Sequence, residues 1–182
     1  MGKIFESIDQ PMRDWVAQQK MFFVATAPLA GDGHVNCSPK GIDSLRIFSD
    51  DELGYLDITG SGVETIAHAH ENGRIVIMMC SMQGPPRIVR FHGTATAIEP
   101  GDAEFDALYQ HFVEQPAIRS IIYIKVHRIA DACGYGVPFY EYQGEREIFE
   151  SYAKRKGEQG LADYRAEKNR TSIDGLPGVK VR

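Results

Sequence analysis

The chain has 182 residues, 43% hydrophobic and 25% charged, a balance that suits one domain with a filled core. Its formal net charge of -5 argues against sequence-independent nucleic-acid binding, which needs clustered Lys and Arg. Residues 1–20 are too polar for a signal peptide, no stretch nears the roughly 20 apolar residues of a membrane span, and Cys37, Cys80 and Cys133 are odd in number and widely spaced. Disulfides, a structural zinc and a membrane anchor are therefore not expected, and a cytoplasmic location is the default.

Asp9 ahead of Pro11 is a helix start, and the first helix is predicted to run to about Lys20 with Trp15 and Val16 facing the core. Residues 21–27 are short, apolar and bounded by Pro28, which predicts a buried strand. Gly31-Asp32-Gly33 is turn chemistry, so residues 34–40 return as the second arm of a hairpin. Two more strands are predicted at 45–49 and 53–58, separated by Asp50-Asp51. After the polar break Thr59-Gly60-Ser61-Gly62, a short helix over 63–71 closes at Asn72-Gly73.

Strands follow at 75–80 and 87–98, with a turn at Gly84-Pro85-Pro86 between them. A helix is predicted over 103–113, and a strand rich in β-branched residues over 121–129. The tail from 146 to 169 reads as two helices broken at 157–160. Its basic run, Lys154-Arg155-Lys156, reads as a solvated helix face. Residues 171–182 show no clear element. Six or seven short, mostly hairpin-linked antiparallel strands with few helices predict a mainly β barrel with flanking helices.

Two segments carry the chemistry. The first is Thr59-Gly60-Ser61-Gly62-Val63-Glu64-Thr65, between an apolar strand and a helix start. Its glycines let backbone come close, and Thr59, Ser61 and Thr65 are hydroxyl donors, which suits a phosphate at a helix N-terminus. The same residues also read as an ordinary helix cap. They match neither the P-loop nor GxGxxG spacing. A phosphate dianion would also need a cation, and Arg74, Arg87 and Arg90 on neighbouring strands are the candidates.

The second segment is Val35-Asn36-Cys37-Ser38-Pro39-Lys40-Gly41. Alternation puts Asn36, Ser38 and Lys40 on one face, able to hold a polar ring or simply to face solvent. Pro39 marks an edge or a bulge. The histidines form no metal site: His68 and His70, two apart on a helix, do not share a face. No residue stands out as a catalytic acid, base or nucleophile.

In order along the chain, residues 23–27, 35–41, 56–65, 71–75 and 86–93 resemble the pyridoxamine-phosphate-oxidase-related family. The likeness covers about residues 5–135. Cys133-Gly134-Tyr135-Gly136-Val137-Pro138 and residues 168–178 resemble one branch of it.

The resemblance implies a single-domain split β-barrel over about 5–135 with a helical and irregular extension over about 140–182. It also implies a homodimer with FMN at the interface. The cofactor contacts implied are Val35, Asn36, Cys37, Ser38, Pro39 and Lys40 along the flavin, Ile58 and Thr59 at a strand end, Ser61, Gly62 and Thr65 at the phosphate, and Arg87 and Ile88 after the turn. Lys40 near the flavin N1/C2 carbonyl would stabilise the reduced ring.

Glu64 and Thr65 stand where the family's vitamin B6 oxidases carry an Arg-Lys pair, and oxidation of pyridoxamine phosphate is not carried over. The expectation is an FMN-dependent oxidoreductase acting on an unidentified small molecule. The alternatives are a flavin-binding or storage module without turnover, or the same cleft holding deazaflavin or haem, the last needing His92 or His127 as a ligand.

Overall fold

A computed structural model describes residues 2–180. Its backbone is one eight-stranded sheet, every pairing antiparallel, curled so that one face wraps the core. The strands are β1 (Ile4–Phe5), β2 (Phe22–Thr26), β3 (Asn36–Lys40), β4 (Leu45–Ile47), β5 (Glu52–Ile58), β6 (Arg74–Cys80), β7 (Ile88–Ile98) and β8 (Ile118–Ala132). Their order is β3-β2-β6-β7-β8-β5-β4, with β1 also on β8. The edges β3 and β4 do not pair, so the barrel stays split along that seam.

Helices α1 (Gln10–Gln18), α2 (Glu64–Glu71), α3 (Phe105–Tyr109) and α4 (Ile148–Lys168) flank the sheet. Helix α1 starts as its sequence dictates: the Asp9 carboxylate accepts from the Met12 amide at 2.9 Å, and Pro11 sits where no intrahelical donor is needed. Met12 and Val16 face inward, whereas Trp15 is only half-buried.

Alternation along the strands builds two cores. Phe22, Val24, Tyr55, Ile77, Met79, Phe91, Ile122 and Ile124 fill the inner face. Leu56, Ile98, Phe105, Phe112 and Ile121 pack on the outer face beside α3. Each such fully buried large side chain contributes roughly 1.5–3 kcal/mol relative to exposure.

The local expectations shift at β1, α3 and β8. Strand β1 is two residues long and had no readable signal. Helix α3 is five residues rather than the eleven of 103–113. No side chain caps it, and the chain tightens after Tyr109 to set Phe112 edge-on against Phe48, with ring centroids 6.1 Å apart. Strand β8 exceeds 121–129 at both ends, because pairing with β7, β5 and β1 carries polar residues such as Arg119 and Ser120 into the sheet. In α4 the expected break falls at Gly157, whose φ of 64° and ψ of 175° lie outside the helix. Residues 171–180 form a small loop closed by a Thr171–Pro177 bridge; Val181 and Arg182 lie outside the described residues.

Candidate functional site

The inner face of β3 carries Asn36, Ser38 and Lys40, as alternation predicts, while Cys37 and Pro39 face out and Val35 is exposed. Its side chains point into the barrel mouth and find partners there. The Asn36 amide donates to the Thr65 hydroxyl at 3.0 Å and, less closely, to the Thr26 hydroxyl at 3.4 Å. Ser38 donates to the Asn36 side-chain Oδ1 at 3.1 Å. Thr26 shares a 2.8 Å hydrogen bond with His68 Nδ1. Burial holds the fully enclosed His68 ring below its usual titration range.

Lys40 crosses the seam of the split barrel, its ammonium 3.5 Å from Asp57 Oδ1 and 5.9 Å from the Tyr55 ring centre. Burial first, then the Asp57 charge, pushes the Tyr55 phenol well up, with the Thr65 hydroxyl beside it but, among the described residues, no well-formed hydrogen bond to the phenol.

The 59–65 turn follows β5 and leads into α2. Beneath it lies Asp57, 1% exposed, whose Oδ2 accepts from Arg119 Nε at 2.7 Å and from Ser120 at 3.4 Å. Arg119 reaches this position through a β-bulge. Asp57 pairs with Ser120 but Ile58 pairs with Ile118, so Arg119 is the extra residue and its side chain is re-aimed. Its Nη1 donates to the carbonyls of Gly60 at 3.3 Å and Gly62 at 2.8 Å, tying the turn down.

Thr59 is committed to its neighbours: its amide and its hydroxyl both donate to the Ala117 carbonyl at 2.8 Å. Ala117 adopts a left-handed φ of 61° as it does so. Ser61 and Gly62 are exposed, and Thr65 is buried with its oxygen accepting from Asn36.

The C-terminal tail returns over this turn. Asn169, fully buried, donates to the Gly60 carbonyl at 2.8 Å and the Ser61 carbonyl at 3.3 Å. Glu64 accepts from the Ile173 amide at 3.3 Å, so its carboxylate is turned toward the tail. Asp174 accepts from both the His34 amide, at 2.8 Å, and its ring, at 2.6 Å, clasping the tail to the β2–β3 hairpin.

Arg165 on α4 donates from Nη1 to the Thr59 hydroxyl at 3.2 Å and lines a cleft of about 450 Å³ with Ala117, Ile118 and Leu161. Among the described residues no carboxylate pairs with Arg165. Burial and the neighbouring Arg119 charge lower its pKa.

The cations considered from the sequence lie elsewhere. Arg87 is stacked over Trp15, 5.0 Å from its ring centre, and stands 3.6 Å from Asp131. Arg74 donates to the Pro28 carbonyl at 2.8 Å, and Arg90 lies on β7 opposite Met78 and Ala130. Ile58 and Ile88 are only partly buried. Ile88 pairs with Cys80, five residues along β6 from Ile75, the partner of Thr26. Along the strands that is about 16 Å from the Asn36 row and next to the Lys40 row, but β7 lies three strands from β3, about 14 Å at some 4.8 Å per strand.

One chain therefore brings together Asn36, Ser38, Lys40, Thr59, Ser61, Gly62 and Thr65, but not Arg87 and Ile88. It adds Asp57, Arg119, Arg165 and Asn169, none of them assigned from the sequence. An Arg two residues ahead of an apolar β-branched run was the one readable sign for Arg119.

The family model described as pyridoxamine 5'-phosphate oxidase matches residues 8–133. The chain belongs to this family. A relative in Aspergillus flavus, pyridoxamine 5'-phosphate oxidase family protein ustO, is 34% identical over 198 aligned residues, covering 98% of this chain and 78% of that protein. The alignment thus takes in the tail as well as the barrel. Among solved structures of similar fold, HupZ of Group A Streptococcus is 26% identical with a TM-score of 0.55, over 74% of this chain and 99% of its own. The FAD binding protein from Mycobacterium smegmatis shares the fold at 13% identity and a TM-score of 0.50, over 72% of this chain and 95% of its own. The pyridoxamine 5'-phosphate oxidase family and the split barrel are thus settled together. No helix among the described residues is long and apolar enough to cross a membrane.

Proposed function

We propose that the protein binds a flavin, FMN in particular, and acts as a flavin-dependent oxidoreductase on a small molecule. The observation that carries this reading is the charge around the 59–65 turn: Arg119 and Arg165 stand beside each other there, and the one carboxylate that meets Arg119, Asp57, is shared with Lys40. That excess of cations suits a phosphate dianion at the end of β5, in a family with flavin-binding members. The family relationship and the FAD-binding protein of the same fold support the flavin. FMN in preference to other flavins, and turnover, are the reading's own steps.

The polar face of β3 would lie along the cofactor, with Lys40 at the ring end. Bound FMN supplies hydride or single-electron chemistry, and the residues named here bind and orient it. Asn36 and Lys40 would exchange part of their internal bonding for cofactor contacts.

The proposal includes a cytoplasmic homodimer with the cofactor near the subunit interface. Arg87 and Ile88, remote from the turn within one chain, would then meet the cofactor from the second subunit. The arm over residues 135–142 exposes Tyr135, Phe139 and Tyr140 by 82%, 81% and 64%, an apolar surface of the sort a partner subunit covers. Haem is disfavoured by position. His92 lies on β7, three strands from β3, or about 14 Å at some 4.8 Å per strand, and His127 is exposed at a bulge of β8.

The test is the visible absorbance of purified protein with mass analysis of any released ligand, followed by FMN titration and sedimentation. Flavin bands and a dimer are expected. Protein that carries no flavin and takes up none would sink the reading, and reduction by NAD(P)H with substrate-dependent reoxidation would separate an enzyme from a storage module.

A further inference from the structure

Glu64-Thr65 stands where the family's oxidases carry an Arg-Lys pair, Arg74 and Arg87 are engaged elsewhere, and Arg90 sits on β7 opposite Met78. The turn nevertheless has two guanidinium groups within electrostatic reach of each other. Arg119 is spent on Asp57 and on two turn carbonyls. Among the described residues the Arg165 side chain has one hydrogen bond, to a hydroxyl, and no carboxylate partner, and it has a face on an open cleft. A half-buried guanidinium beside a second cation is an unfavourable arrangement unless an anion completes it. Glu158 and Gln159 line the same cleft, and Glu64 is held by the tail backbone.

We propose that Arg165, carried in by the C-terminal tail, is the cation that balances the cofactor's phosphate, so that the tail forms one wall of the cofactor site. This rests on the flavin reading above. The tail is fastened where such a wall must be: Asn169 grips the carbonyls of Gly60 and Ser61, and Gly178 packs against Val63 at the start of α2. Arg165 sits one helical turn before Asn169, and the Asn169 amide donates to the Arg165 carbonyl at 2.9 Å. Docking of the tail and placement of the guanidinium are thus one event. By linkage, a phosphate held there tightens the tail, and a loosened tail weakens the phosphate.

The test compares FMN with riboflavin, which lacks only the phosphate, by fluorescence titration of the full chain, wild type, Arg165→Met and Arg165→Lys. Wild type is expected to prefer FMN. Arg165→Met loses about tenfold or more in FMN affinity, the scale of a charge-assisted hydrogen bond, and stays within about twofold for riboflavin. Arg165→Lys, which keeps the charge, recovers part of the preference. An FMN-to-riboflavin ratio unchanged in Arg165→Met, or absent in wild type, overturns the proposal.

Circular dichroism checks the fold. Should Arg165→Met not fold, the ratio in Arg165→Lys decides: a fall supports the assignment and no change overturns it. If wild type binds neither flavin, the flavin reading fails and Arg165 is judged by inorganic phosphate. A thermal midpoint raised by phosphate over chloride at equal ionic strength, and not raised in Arg165→Met, keeps the anion site. No rise in wild type removes it.

Discussion

Replacing Asp57 by Asn tests the ionic centre beneath the turn. The side chain keeps its shape but loses the charge that faces Arg119 Nε at 2.7 Å and Lys40 Nζ at 3.5 Å. At an effective dielectric of about 20, these separations correspond to gross attractions of roughly 6 and 5 kcal/mol. Most of that is offset in the folded chain by the cost of desolvating the ions. What the substitution exposes is the buried Arg119 cation, 4% accessible at its side chain, without its counter-charge. Breaking a buried pair by removing one partner costs about 3–5 kcal/mol, and the lower end applies because Arg119 keeps its bonds to Gly60 and Gly62.

Urea unfolding followed by fluorescence and circular dichroism measures the loss. With a slope of about 2 kcal/mol/M, a loss of about 3 kcal/mol lowers the midpoint by roughly 1.5 M. Adding Arg119→Met to Asp57→Asn removes the orphaned cation and is expected to recover a good part of the loss, a coupling between neighbours that additivity would not give. A single-variant midpoint within about 0.3 M of wild type, with an unchanged slope, would refute the view that Asp57 holds the bulge and the turn together.

Three further outcomes follow from particular contacts. The hydrogen bond to Asp174 raises the His34 pKa above its ordinary 6.5, so the contribution of this clasp is fully present below that value and fades as pH rises through the raised pKa. Asp174→Asn should return the His34 NMR titration toward 6.5, and an unmoved curve would exclude the pair. Thr65→Val removes the acceptor for Asn36 and should cost about 1–2 kcal/mol in urea unfolding, whereas the exposed Ser61→Ala should change stability by less than about 0.5 kcal/mol; equal effects would contradict the bonding described. In Gly178→Ala the new methyl would meet the Asn169 carbonyl and stand 2.8 Å from the Val63 side chain, so the tail should loosen and limited proteolysis at residues 170–180 should quicken. Cleavage at the wild-type rate would show that this packing does not fasten the tail.

The inner face of β3 was legible because alternation depends only on neighbouring residues, and Asn36, Ser38 and Lys40 do share it. Their direction was not. A face toward a ligand and a face toward the barrel mouth have the same period, and only the curl of the sheet tells them apart. The turn was legible as Gly and hydroxyl chemistry, yet the Thr59 hydroxyl is taken by Ala117, whose left-handed φ no local pattern announces.

By itself the sequence determined the element order from α1 onward, the hairpin at 31–33, a break within 157–160, and a family series running through the barrel, because caps, turns and periodicity act over a few residues. The cations at the 59–65 turn were decided by tertiary structure alone. Arg119 arrives through a bulge that breaks the alternation of β8, and Arg165 comes from 106 residues beyond Thr59. Such pairings exist only once the sheet has curled and the tail has folded back. The charge balance of a buried site is therefore a property of the packed molecule, and no local stretch of sequence carries it.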